Sequence, residues 1–526
     1  MKNKEKHFNI LVGILCFIFF LIYSYTILKV HLPNYLELKH LIFNWPDANA
    51  NYFFASIFAK FNNLSFYESL NILTDNLIHT RSMNVYNSSL VPITFLPTIL
   101  IFGLFFKVLG SLGILFLTPL LASLTGYIIY RLSYLIFKDL DLSFLIALFL
   151  LSLGPWVFFA NMVMLPTILF IFLLSLGFLL YRKNYILGSI LISLAIIVRP
   201  TEIIWILALI IIISIYNRNI FNIRKALISF FIFIFFFFLF LYLNKITYGN
   251  YFSLGYFNLE NNNLPTEFSN SNNSILNYLK MIFIPFGFHP RLILNNFSKY
   301  FYQLIWPYII IAGFSFIFLI IKLKVTKNKE FKRRWKYYLL SLLIIFPIIL
   351  IYYGSWDIAD LLVKKLNIIS ISYVRYFIPL FILILPLSSL VFNILLVRGK
   401  GLNKIYNIII LFLAIIFPIS SIAFTSPNDG LFKNSENLIQ YYNQFKKVKE
   451  VAPKDSVIIS ERSDKVFFPY YKTIVLENNI DFWQRVDKIN DREVYYYTNK
   501  GNEDLIDLNI VNIVNISNKF RLIRIK

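Results

Sequence analysis

A single cysteine, Cys16, stands in the whole sequence, which excludes an intrachain disulfide and leaves the redox compartment unread. Charge is scarce as well: 15% of residues are Asp, Glu, Lys or Arg, against about 25% in soluble domains. The sequence has no Cys/His pattern at metal-ligand spacing, no glycine-rich phosphate loop and no internal repeat of fixed period. Those gaps exclude a zinc module, a P-loop nucleotide hydrolase and a solenoid. In their place, 58% of the 526 residues are hydrophobic and 19% aromatic, with a mean hydropathy of +0.67. One water-soluble core cannot hide so much apolar surface, so a bilayer must solvate much of it.

A helix needs about 20 apolar residues to cross the hydrocarbon layer. Runs of that kind fall at 8–30, 112–137, 142–160, 166–181, 185–198, 203–216, 226–243, 301–321, 337–353, 374–397 and 405–424, which predicts about eleven crossings. The stretch 92–109 is also apolar but carries Pro97 and Gly103, and is expected to form a re-entrant or interfacial helix. The first seven residues are short and the following apolar run long for a cleaved signal, so the first span is expected to be retained.

The net charge of +23 would suggest nucleic acid in a soluble protein. Here the excess sits in short loops between apolar runs, including Lys2, Lys4, Lys6, Arg131, Lys138, Arg182, Lys183 and the cluster from Lys322 to Lys336. Short basic loops stay in the cytoplasm. The expected arrangement is a multi-pass plasma-membrane protein with its N-terminus inside, and the Lys322–Lys336 cluster is read as a topology determinant. Outward segments then include 31–111, 247–300 and 354–373. The tail 425–526 has nearly balanced charge and reads as a small outward-facing α/β domain. It would have a helix near 435–448 and strands at 456–460, 472–476, 493–497, 510–516 and 520–525. The fold class is therefore all-α and polytopic over 1–424, with an α/β domain over 425–526.

Chemistry-bearing residues collect in the outward segments. In Asn44-Trp45-Pro46-Asp47-Ala48-Asn49, Asp47 stands before an amphipathic stretch of aromatics and small residues. It can be a helix N-cap or a base that takes a proton from a hydroxyl. Arg81, Arg199, Arg291 and Arg375 are candidate cations for an anionic lipid headgroup, because guanidinium offers a bidentate fork. The plain alternative for Arg199 and Arg375 is snorkelling at a helix end; for Arg81 and Arg291 it is an ordinary surface position. Trp356 with Asp357 and Asp360 offers a sugar contact or, alternatively, an interfacial aromatic. The residues Glu461-Arg462-Ser463-Asp464-Lys465 follow a strand, where α/β sheets often place ligands, but read by default as a solvated loop.

An acidic residue in the first outer loop, behind an aromatic and before a surface helix, resembles the GT-C superfamily of polytopic glycosyltransferases. So do Val91-Pro92-Ile93-Thr94-Phe95-Leu96-Pro97, the inner turn Tyr130-Arg131-Leu132-Ser133-Tyr134-Leu135, and Val198-Arg199-Pro200-Thr201-Glu202. The branch resembled uses lipid-phosphate sugars and includes protein mannosyltransferases and aminoarabinose transferases. The resemblance implies inverting transfer from a polyprenyl- or dolichyl-phosphate sugar to a glycan, protein or lipid acceptor, with Asp47 as general base. Independently of the resemblance, Arg81, Arg199, Arg291 and Arg375, together with Glu202, are the candidate substrate contacts. Many relatives carry a second acid where this chain has Asn161-Met162-Val163. That departure leaves a divalent cation (Mg or Mn) as a cofactor without an assigned ligand, unless Glu68, Asp75 or Glu202 substitutes.

Two rivals remain at the level of sequence. A flippase or transporter of lipid-linked saccharides would have similar hydrophobicity, but such proteins carry repeats and ionisable groups near the midplane. The runs here are nearly free of ionisable groups. A non-catalytic assembly subunit would share the architecture entirely.

Overall fold

Where backbone polar groups lack water they must bond to one another, so apolar runs become helices. The computed structural model describes residues 2–216, 222–255, 285–357, 369–398, 402–426, 428–477, 481–499, 511–517 and 519–525, and each apolar run is helical within them. Among the described residues seven helices are long and apolar enough to cross a membrane, or nine if each of two bent pairs is one span. One pair, Leu140–Ser152 with Gly154–Asn161, bends by 55°; the other, Tyr185–Val198 with Pro200–Tyr216, bends by 113°. Helix Pro166–Tyr181 has only 16 residues. The runs at 185–198 and 203–216, expected as separate crossings, are thus the two arms of one bend. The stretch 92–109 contributes helix Leu96–Gly113, which breaks at Gly110, where φ is +70°.

The chain folds into two compact units. The first comprises Met1–Tyr25, Leu117–Phe237 and Asn272–Lys433. Helix Lys2–Tyr23 is tied at one end by Glu5, which accepts from Arg131 at 2.9 Å, and at the other by Tyr23, whose hydroxyl donates to Leu151 O at 2.6 Å. Asp139 caps the following helix by accepting from Leu142 N at 3.0 Å, and its second oxygen accepts from Asn393 at 3.0 Å. Helices Pro166–Tyr181 and Tyr185–Val198 lie so close that a Cβ on Gly188 would stand 2.5 Å from Tyr181 Cα. Small residues permit such approach in membrane bundles, where packing replaces the hydrophobic drive.

The second unit comprises Thr26–Phe116, Phe238–Ser271 and Asn434–Lys526. Helix Pro46–Phe61 buries Ala50, Phe53, Phe54 and Ile57 with Leu96 and Ile99 of helix Leu96–Gly113. They pack with an antiparallel sheet of β1 (Phe66–Tyr67), β2 (Met83–Tyr86) and β3 (Ser89–Pro92), in the order β1-β3-β2. The tail supplies β4 (Val457–Ser460), β5 (Lys472–Val475), β6 (Val494–Thr498), β7 (Asn512–Asn515) and β8 (Arg521–Arg524), in the order β5-β4-β6-β8-β7. Strands β5, β4 and β6 run parallel; β8 is antiparallel to β6 and β7. Parallel strands need both faces covered. One cluster combines Leu438, Tyr442, Phe445 and Val448 of helix Leu431–Val451 with Ile458, Tyr495, Val30 and Ile42. Another combines Ile459, Ile474 and Tyr496 with Leu70, Leu77 and Ile78. Residues Val30, Ile42, Leu70, Leu77 and Ile78 therefore complete the tail's own cores.

Candidate active site

Trp45 begins helix Pro46–Phe61 in an extended conformation (φ −110°, ψ 133°), and Pro46 fixes the first helical residue. Asp47 lies inside the first turn, not at the cap, so the N-cap reading is corrected: the proline ahead of it moves the cap to Trp45. A carboxylate there is favoured by the positive end of the helix dipole. It is half-buried, and Oδ1 accepts from Ser82 Oγ at 2.7 Å. An ionised carboxylate accepts on both oxygens, which is the capacity that a base uses.

Next to Ser82, Arg81 is engaged by Asp464. Its Nε donates to Oδ1 at 2.8 Å, its backbone N–H to Oδ2 at 3.0 Å, and its Nη2 to Arg462 O at 2.6 Å. The Asp464 side chain is 0% exposed and that of Arg81 30% exposed. The neighbouring Lys465 donates to Asn44 O and lies 4.9 Å from the Tyr441 ring centroid. Burial first, then the nearby Arg81 charge, pulls the Lys465 ammonium down to about 8. Asn49 Nδ2 donates to Lys465 O at 3.3 Å and Phe468 O at 3.2 Å. The stretch 461–465 is thus no solvated loop. Asp464 binds Arg81 beside Ser82, Lys465 binds Asn44 and Asn49 on either side of Asp47, and the sequence signal for both is their place after a strand of a parallel sheet.

A second cluster lies in the first unit, at the 113° bend. Proline disfavours the helical region for the residue before it, and Arg199 accordingly adopts φ −139°, ψ 81°. The turn folds Glu202 back so that Oε1 lies 2.7 Å from Arg199 Nη2, an ion contact, and accepts from Tyr353 OH at 3.0 Å. Trp205 Nε1 donates to Oε2, and Tyr353 OH also lies 3.0 Å from Thr201 Oγ1. Arg199 stacks 4.7 Å from the centroid of Tyr376, which is itself stacked on Tyr353 at 4.5 Å. Both charges are buried. Arg199 does not snorkel: a carboxylate and an aromatic face hold it within the protein, replacing the solvation that lipid headgroups would give.

Arg375 shares this aromatic group, 5.3 Å from the Tyr376 centroid, and donates to Ser372 Oγ at 3.1 Å. Arg291 is exposed in the first turn of helix Pro290–Phe297. Trp356 stacks on Phe286 at 5.2 Å, with Tyr373 and Tyr376 at its edges, and Asp360 lies outside the described residues. The three acids named as substitutes are all paired: Glu68 with Lys472, Asp75 with Lys488 at 2.7 Å, and Glu202 with Arg199. Asn161 is buried, its amide donating to Val157 O at 3.0 Å. Among the described residues no three His, Cys, Asp or Glu side chains converge to hold a metal ion.

No family model matches the chain, and no curated protein does. Among solved structures it matches the crystal structure of ArnT from Cupriavidus metallidurans in the apo state, over 99% of this chain and 98% of that one, with a TM-score of 0.50 and 9% identity. The chain has the GT-C fold. At that identity the likeness concerns the fold and leaves the chemistry to the residues. Within a GT-C fold, the apolar helices make this a multi-pass membrane protein. The strand-bearing tail belongs to the fold as well, since the match runs through nearly the whole of both chains.

Proposed function

We propose that the chain is a membrane glycosyltransferase that moves a sugar from a polyprenyl- or dolichyl-phosphate donor to an acceptor hydroxyl at the outer face, with inversion. The observation that carries this reading is the half-buried carboxylate of Asp47, fixed by Ser82 at 2.7 Å, in a chain of GT-C fold. The acceptor oxygen attacks the anomeric carbon from the face opposite the phosphate. Its proton passes to Asp47 as the new C–O bond forms, and the old C–O bond breaks with its electron pair on the departing lipid phosphate. The leaving group is a stable anion, so catalysis consists of positioning, proton acceptance and charge stabilisation. Arg291 and Arg375 keep the reading that the sequence gives them, cations suited to an anionic headgroup. Arg199 and Glu202 neutralise each other, and we assign them to holding Tyr376 and the bend. Arg81 gives its guanidinium to Asp464 and is assigned to positioning. The acceptor is a glycan, a protein or a lipid.

The deciding assay supplies radiolabelled undecaprenyl-phosphate sugars to the reconstituted chain. Labelled acceptor together with free lipid phosphate is the expected result, and transbilayer movement of donor without transfer would make the chain a flippase. Asp47→Asn should lower transfer by about 10²–10⁴-fold while leaving insertion unchanged; full activity in that variant would remove Asp47 as the base.

A further inference from the structure

A base must be held to within about 0.5 Å to act, and the Ser82 hydroxyl can hold Asp47 only as firmly as the turn that carries Ser82 is itself held. From outside the first loop, the stretch 462–468 supplies several of the bonds to the Asp47 neighbourhood, beside Asn434, whose carbonyl accepts from Asn44 at 3.1 Å. Asp464 pins both the side chain and the backbone N–H of Arg81, and the next residue is the one that bonds Asp47. Lys465 donates to Asn44 O on the N-terminal side of Asp47, and its own carbonyl accepts from Asn49 on the C-terminal side. Phe468 adds a second carbonyl for Asn49 and an edge contact with Phe53, at 4.7 Å between centroids. The clamp therefore grips the carboxylate's segment on both flanks and through its hydrogen-bond donor.

We propose that Asp464 and Lys465 are positioning residues for Asp47, acting through Arg81–Ser82 and through Asn44 and Asn49. The α/β tail is then part of the reaction machinery, not an appended acceptor-binding module. This rests on the reading of Asp47 as the base. The test uses the full chain. Amide hydrogen exchange on the unliganded protein reports positioning without any substrate. Kinetics use whichever radiolabelled undecaprenyl-phosphate sugar is turned over. Asp464→Asn should speed exchange at 44–51 and 80–83 while β4 and β6 stay protected. It should also lower kcat about 10²-fold with KM for the donor nearly unchanged, the size of effect that a misplaced group produces. Asp464→Glu should recover most of the loss, and Asp464→Asn should add nothing in the Asp47→Asn background. Unchanged exchange at 44–51, or a rise in KM with kcat intact, overturns the proposal. If Asp464→Asn unprotects the whole sheet, Ser82→Ala and Lys465→Gln decide instead: wild-type kcat in both overturns it, and a selective kcat loss of about tenfold supports it. An active Asp47→Asn would defeat the reading of the base, yet leave the exchange result standing as a separate outcome.

Discussion

At the scale of single residues, burial decides which ionisable groups do work and which only titrate. His40 stacks on Phe445 at 4.5 Å and lies 3.2 Å from Val466 O. Burial first, with the Lys449 charge adding to it, lowers its imidazole to about 4. The unfolded chain, with an ordinary imidazole near 6.5, then binds more protons than the folded one between the two values. Stability from this group is present above about 6.5 and is lost as pH falls toward 4. Thermal unfolding of the purified chain between pH 7 and pH 4.5 should show that decline, and His40→Phe should flatten it; an identical slope in the variant would refute the assignment. The residue scale is also where the sequence was least legible. Asp47 stands out by its place after Trp45-Pro46. Nothing local pairs Arg81 with Asp464, because 383 positions separate them and a buried ion pair has no periodicity to betray it.

At the scale of elements, hydropathy and alternation located nearly every helix and strand. The five tail strands lie within a residue or two of where β-branched and aromatic alternation places them, and the apolar runs are helical. What hydropathy cannot read is a bend: the arms at 185–198 and 203–216 look like two spans until Arg199-Pro200 turns them by 113°. The buried pair at that bend makes a test. Removing one partner leaves the other charge unpaired and should cost about 3–5 kcal/mol. Arg199→Met and Glu202→Gln should each destabilise by that order, whereas the double variant should lose much less than their sum. Additive losses in a double-mutant cycle, read by thermal unfolding in detergent, would show that the two charges do not depend on each other.

At the scale of the whole molecule, the short basic loops predict sidedness. The native cysteine is Cys16 alone, so a Cys16→Ser background carrying Asp47→Cys or Lys332→Cys gives one reporter per side. An impermeant maleimide added to intact cells should label the first variant, and only lysed cells should label the second; the reverse pattern would place Asp47 in the cytoplasm and end the proposed reaction. The GT-C fold was legible here because its marks are order and composition, which survive when identity has fallen to 9%.

The second unit draws on three stretches of chain, Thr26–Phe116, Phe238–Ser271 and Asn434–Lys526, and its sheet places β8 between β6 and β7. During synthesis the loop bearing Asp47 emerges early, yet its partners Asp464 and Lys465 leave the ribosome only after the helices between them have been made. An incomplete chain would thus display apolar loop surface without its cover, as late-closing long-range contacts do in general. A premature stop in the final strands should then yield an inserted but silent protein, marked for proteolysis by the unburied faces of Leu70, Leu77 and Ile78.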